Sequence, residues 1–194
     1  MANYQGVFAV GDSLARFLQN NYDPTAVGFQ CTFKLFSSLE IAGEDQSNDQ
    51  VVSIFLHRIT TNENFRSVTS LQDSPSLQPL LFLDLHYLIT YWGVSAEAEQ
   101  TILAWTMQQL ASNLILDSSI LSLSTANAGW DATEAVQLIP ADLSLEDILR
   151  IWDALGPKYR LSTSYIARVV RIDRTVVPGG PVVATRFELQ AAAT

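Results

Sequence analysis

Few side chains in this sequence have the types and spacing that acid–base or metal chemistry needs. The 194 residues include two histidines, His57 and His86, and one cysteine, Cys31. Asp84 and His86 stand two residues apart, so a strand would place the carboxylate and the imidazole on one face, as in a base with its orienting group. The same two groups would also form a buried polar pair that satisfies itself, and we favour that interpretation.

Motifs that mark catalytic or metal sites are missing from the sequence. It contains no His-Glu-x-x-His, no paired cysteines, no Gly-x-Ser-x-Gly elbow and no glycine-rich phosphate loop. A single cysteine cannot form an internal disulfide or a multi-cysteine metal site. The sequence therefore predicts a protein that is not an enzyme and that has no metal and no cofactor.

The charge is negative overall and unevenly distributed. The net charge of −9 argues against a nucleic acid as the main partner. Residues 1–149 hold four basic and 17 acidic side chains, a net of −13, whereas residues 150–194 hold seven and three, a net of +4. This split is either a chance imbalance or a sign of head-to-tail docking between a basic and an acidic surface.

Membrane insertion and secretion are not expected. The most apolar segment, residues 80–92, is interrupted by Asp84 and His86 and is shorter than the roughly 18 residues that span a bilayer. Residues 1–5 lack the basic start of a secretory signal. We therefore expect a protein that is made in the cytoplasm.

Hydrophobic periodicity predicts the elements that position these residues. Helices are expected over residues 7–20 (most firmly from 12), 96–114 and 145–155, where Ser144 is a good N-cap. Strands are expected over residues 27–37, 51–61, 80–92, 136–139, 161–174 and 182–189. This order predicts an α/β (α+β) fold with a mixed, largely antiparallel sheet packed against helices.

The arrangement predicts one domain, residues 1–175, followed by an extension, residues 176–194. The extension begins with the Pro178–Pro181 break and is apolar and poor in charge. It would either add a strand to a neighbouring subunit or form the last strand of its own sheet.

Arginines are concentrated in the last third of the chain. Alternation along the strand at 161–174 places Arg168 and Arg174 on one face and Arg171 on the other, with Val169 on the face of Tyr165 and Ala167. Arg168, Arg171, Arg174 and Arg186 are the candidate interface residues, and simple solvation of a charged surface is the alternative.

Several blocks resemble one family, the N-terminal domain of cap proteins from antifeeding-prophage and virulence-cassette-type contractile injection systems. The blocks occur in the same order along the chain as in that family and together cover roughly residues 7–175. The more specific ones are 79–93 (PLLFLDLHYLITYWG) and 159–165, followed by 143–155 and 168–173, with weaker likeness at 9–14 and 54–62. Ser67 follows Arg66 in this chain, whereas members of the family tend to have asparagine after the corresponding arginine.

The resemblance implies a structural role similar to that of phage tail terminators. Six copies would form a ring on the last layer of the inner tube, end its growth and engage the sheath, so the implied partners are the chain itself, the tube protein and the sheath protein. The family supplies no catalytic residues. The alternatives are a baseplate or tube adaptor of the same particle and, with less support, a hydrolase that uses Asp84 and His86.

Overall fold

Six strands and six helices are seen in a computed structural model that describes residues 2–43, 50–62 and 81–172. The strands are β1 (Thr32–Phe36), β2 (Val51–Thr61), β3 (Leu81–Trp92), β4 (Ile115–Leu116), β5 (Val136–Ala141) and β6 (Ser162–Ile172). The helices are α1 (Gly6–Asn21), α2 (Pro24–Val27), α3 (Ser38–Ala42), α4 (Ala96–Ser112), α5 (Ser118–Leu121) and α6 (Leu145–Leu155).

The strands form one sheet in the order β1-β2-β3-β6-β5-β4. Only the β1–β2 pair is parallel, and the other four pairs are antiparallel. The prediction of a mixed, largely antiparallel sheet with helices is thus confirmed. Ala2 adds a parallel bridge to Ile172, which brings the start of the described chain to the end of β6.

The main core lies between the first face of the sheet and a layer that contains α1 and α4. The apolar stripe of α1 buries Val10, Leu14 and Leu18 completely, and Ile102 of α4 is equally buried. The sheet contributes Leu85, Tyr87 and Ile89, all at alternate positions of β3 and all inaccessible to solvent. The buried side chains recur at every second residue of β3 and about every 3.6 residues of α1, and both sets face the same core.

A smaller core covers part of the second face. Trp152 of α6 packs with Trp92 of β3 at 5.9 Å between ring centroids, and Leu88 and Phe55 complete the contact. The Oγ of Ser53 accepts a hydrogen bond of 2.8 Å from the indole nitrogen of Trp92. Helices thus pack on both faces of the sheet, as the two-sided apolar pattern of β2 and β3 indicates.

Four short elements were not predicted, and one strand is shorter than expected. The strand expected over 27–37 begins only at Thr32, because Asp23 caps a helical turn that starts at Pro24 and ends at Gly28, whose φ is +89°. Ser37 then opens α3 with a capping box that includes Glu40. The segment 117–135, in which the sequence analysis places no helix or strand, contains α5, capped by Asp117, and β4 precedes it.

The hydroxyl group of Tyr87 is unpaired in the described part of the fold. The residue is completely buried, and its oxygen has no hydrogen-bond partner within the described parts of the chain. We expect Tyr87→Phe to raise the free energy of unfolding by about 1 kcal/mol, because an unpaired buried polar group is removed. Tyr22→Phe is the control in urea denaturation: its hydroxyl donates to the carbonyl oxygen of Phe29 at 2.8 Å, so that variant is expected to lose stability. A destabilised Tyr87→Phe would contradict the prediction.

Candidate assembly surface

Asp84 is a structural clamp between three strands. Its Oδ1 accepts a hydrogen bond from the backbone nitrogen of Val169 in β6 at 3.1 Å. The side-chain amide of Asn62, just after β2, donates to both carboxylate oxygens at 3.1 and 3.0 Å. The guanidinium of Arg168 is farther away, with 3.7 Å between Nε and Oδ2. The buried carboxylate is therefore satisfied by groups from the two strands that flank β3.

The backbone that Asp84 holds is a β-bulge. Leu83 pairs with Val170 and Leu85 pairs with Ala167, so Arg168 and Val169 together stand opposite Asp84. Val169 has a φ of +63°, in the left-handed region that a β-branched residue rarely adopts. The hydrogen bond from the Val169 nitrogen to Asp84 offsets part of the cost of this conformation.

The bulge changes which face of the sheet each arginine occupies. Ala167 and Leu138 form one cross-strand pair in the main core, so their neighbours Arg168 and Gln137 lie on the second face. After the bulge Val170 and Ile172 return to the main core, which places Arg171 on the second face as well. The expectation that Arg168 and Arg171 lie on opposite faces is therefore wrong. Arg174 and Arg186 lie outside the described residues.

A second bulge brings the two histidines together. Leu56 pairs with Tyr87 and Arg58 pairs with His86, so His57 is the extra residue of β2. The rings of His57 and His86 are 6.1 Å apart between centroids. No local spacing reveals this proximity, since the residues are 29 positions apart and the register of two strands must be known.

The environment of the two histidines disfavours their charged forms. Burial, followed by the positive potential of His86 and Arg58, lowers the pKa of His57 to about 4. Burial and Arg58 also lower the pKa of His86, against the opposing effect of Asp84. His86 Nε2 is 3.0 Å from Thr60 Oγ1, and no described hydrogen bond joins it to Asp84. The two residues are thus satisfied by other partners and not by each other, which corrects the predicted self-satisfying pair.

The described residues offer little other chemistry. They contain no group of three or more His, Cys, Asp or Glu side chains that could hold a metal ion. Burial raises the pKa of the Cys31 thiol to about 12, so the thiolate is scarce at neutral pH. Among the helices of the described ranges, none is both long and apolar enough to cross a membrane.

Comparison with known proteins gives a family for this arrangement. The model of the Pvc16 N-terminal domain matches residues 9–185, which is most of the chain. The chain belongs to the Pvc16 N-terminal domain family. The comparison with curated proteins gives no match.

Two solved structures share the fold of this family member. One is the sheath/tube terminator of an extracellular contractile injection system, PVC, in the extended state, with a TM-score of 0.54 and 20% identity; the alignment covers 98% of this chain and 64% of that one. The other is the tube-terminating cap of the anti-feeding prophage, with a TM-score of 0.58 and 17% identity, covering 93% of this chain and 60% of that one. The chain thus spans less than two thirds of the length of either structure.

Proposed function

We propose that this chain is a structural cap, or tail terminator, of a phage-tail-like contractile injection system. In this role it ends the inner tube, engages the sheath and acts without catalysis. The observation that carries the proposal is the match of almost the whole chain to the Pvc16 N-terminal domain, together with the shared fold of two terminators. The use of Asp84 as a clamp, rather than as a base beside His86, supports a structural role over hydrolysis.

The proposed assembly is a hexameric ring that is made in the cytoplasm and sits on the last layer of the tube. Its partners are then other copies of the chain, the tube protein and the sheath protein. Arg168, Arg171, Arg174 and Arg186 are the proposed interface residues. The exposure of Arg171 and the half-exposure of the Arg168 side chain, both on the second face, are consistent with this role.

Electron microscopy of particles from cells that lack only this gene tests the cap role. We expect tubes and sheaths of uncontrolled length, because nothing would end polymerisation, and recovery of a narrow length distribution when the gene is restored. Particles of normal length and shape in the deletion strain would contradict termination by this chain. Loss of all particles would instead favour a baseplate or tube adaptor that is needed at initiation.

A further inference from the structure

His57 adjoins both a group of basic side chains and an open cavity. Its ring lies 6.1 Å from the ring of His86, measured between centroids. The same residue lines a cavity of about 580 Å³ beside the end of β1, where Val7 and Phe8 of α1 form part of the wall. The imidazole of His57 therefore has two different environments next to it.

The environment beside His86 is unfavourable for a protonated ring. Nε2 of His57 is buried and has no hydrogen-bond partner within the described ranges. Burial, His86 and Arg58 lower the pKa of His57 to about 4, and burial, Arg58 and Arg168 lower the pKa of His86. The neighbouring acid, Asp84, raises the pKa of His86 but is already held in the clamp of the β6 bulge. A proton on His57 thus creates a buried charge beside a cation and a second titratable imidazole.

The cavity can accept the protonated ring. It is far larger than one imidazole, and Tyr4 and Phe8 at its border are 74% and 52% exposed, so it opens to solvent. No charged side chain of the described residues lines it, and its other titratable groups are the phenols of Tyr4 and Tyr87. An imidazolium in the cavity would be hydrated, and the cost of burying its charge would disappear.

We propose that His57 is an acid-sensitive latch, whose protonated ring leaves His86 and turns into the cavity. As the extra residue of the β2 bulge, His57 has no cross-strand partner in β3, so its ring can move without breaking a ladder pair. The movement places a positive charge beside Tyr4 and Phe8 and frees the end of β2 from its packing against His86. The inference does not depend on the cap role, because the movement occurs within one chain.

Proton linkage sets the direction and the size of the effect. A ring in the cavity has the ordinary pKa of 6.5, whereas the ring beside His86 has a pKa of about 4. The closed form is therefore fully favoured above pH 6.5, and the ratio of open to closed form rises as the pH falls towards 4. The difference between the two pKa values allows a rise of at most about 300-fold, and we expect about tenfold to a hundredfold because the ring is partly exposed.

NMR of the purified full-length chain tests the latch directly. The sequence has two histidines, so His86→Gln assigns both imidazole resonances. At pH 7.5 we expect nuclear Overhauser contacts between the two rings, and at pH 4.5 contacts from His57 to Phe8 in their place. A His57 ring that titrates but keeps its contact with His86 would overturn the proposal, as would loss of the folded spectrum before the ring moves.

Hydrogen exchange measures the size of the opening. Between pH 7.5 and pH 4.5, after correction for the intrinsic rate, we expect the amides at the end of β2 to lose protection by about tenfold to a hundredfold. His57→Leu should abolish this loss. Arg58→Gln removes a cation beside the closed ring, so it should raise the pKa of His57 and reduce the opening.

Lys34→Gln is the matched control for charge removal. Lys34 is an exposed cation of β1 that is not among the residues lining the cavity, so its replacement should change neither the pKa of His57 nor the exchange of β2. Opening that persists in His57→Leu, or an Arg58→Gln variant that behaves like Lys34→Gln, would overturn the proposal.

Discussion

Replacing Asp84 by alanine is expected to lower the free energy of unfolding by about 3 kcal/mol, because buried donors lose their acceptor. The Asn62 amide would lose two hydrogen bonds and the Val169 nitrogen would lose one. Arg168 adds little to this cost, since its side chain is 42% exposed and 3.7 Å from the carboxylate. Urea denaturation at neutral pH, followed by circular dichroism, would measure the loss.

A double-mutant cycle with Val169→Gly shows whether the clamp acts on the bulge. Loss of the clamp lets the bulge relax, and the strain that valine then releases offsets part of the cost, whereas glycine tolerates the φ of +63° and has no such strain to release. We therefore expect Asp84→Ala to cost about 1 kcal/mol more in the Val169→Gly background than in the wild-type chain. Arg168→Gln is the control and should cost less than about 1 kcal/mol in either background. Equal costs of Asp84→Ala in both backgrounds would contradict the role of a bulge clamp.

The positions of helices and strands could be predicted from the sequence where the apolar pattern continues over many residues and where capping or turn residues mark both ends. The helix over 145–155 has both the Ser144 cap and the Gly156 stop, and the structure has the same limits. The strand at 51–61 is likewise confirmed. Asp23 and Pro24 are residue types that end the first helix, but the second role of Asp23 as the cap of α2 depends on how the chain continues to Gly28.

The candidate surface could not be predicted because it depends on bulges. An extra residue in one strand is invisible to an alternation pattern, yet it reverses the face of every residue that follows. Position 169 carries valine, whereas glycine there would have been a signal for a bulge. The approach of His57 to His86 has the same origin, since it requires an extra residue in β2. A carboxylate in the middle of an apolar strand was the available clue, and it marks the clamp of the bulge.

Mild acid is expected to destabilise the protein through His57. The folded-state pKa of about 4 lies below the ordinary value of 6.5, so the unfolded chain binds more protons between these two values. The stability contribution is therefore fully present above pH 6.5 and is lost as the pH falls towards 4. Because the ring is partly exposed, we discount the full shift and expect a loss of about 2 kcal/mol from this residue.

His57→Leu isolates this contribution. The Nε2 atom of His57 is buried and has no hydrogen-bond partner in the described ranges, so an apolar side chain leaves no acceptor unpaired. We expect the variant to lose much less stability than the wild type between pH 7 and pH 4.5, a window above the lowered pKa values of Asp12 and Glu40. His86→Gln is the comparison: it removes the titration of His86, whose own pKa is lowered, but leaves His57 itself, so most of the pH dependence should remain. A His57→Leu variant with the wild-type pH dependence would show that the acid sensitivity arises elsewhere.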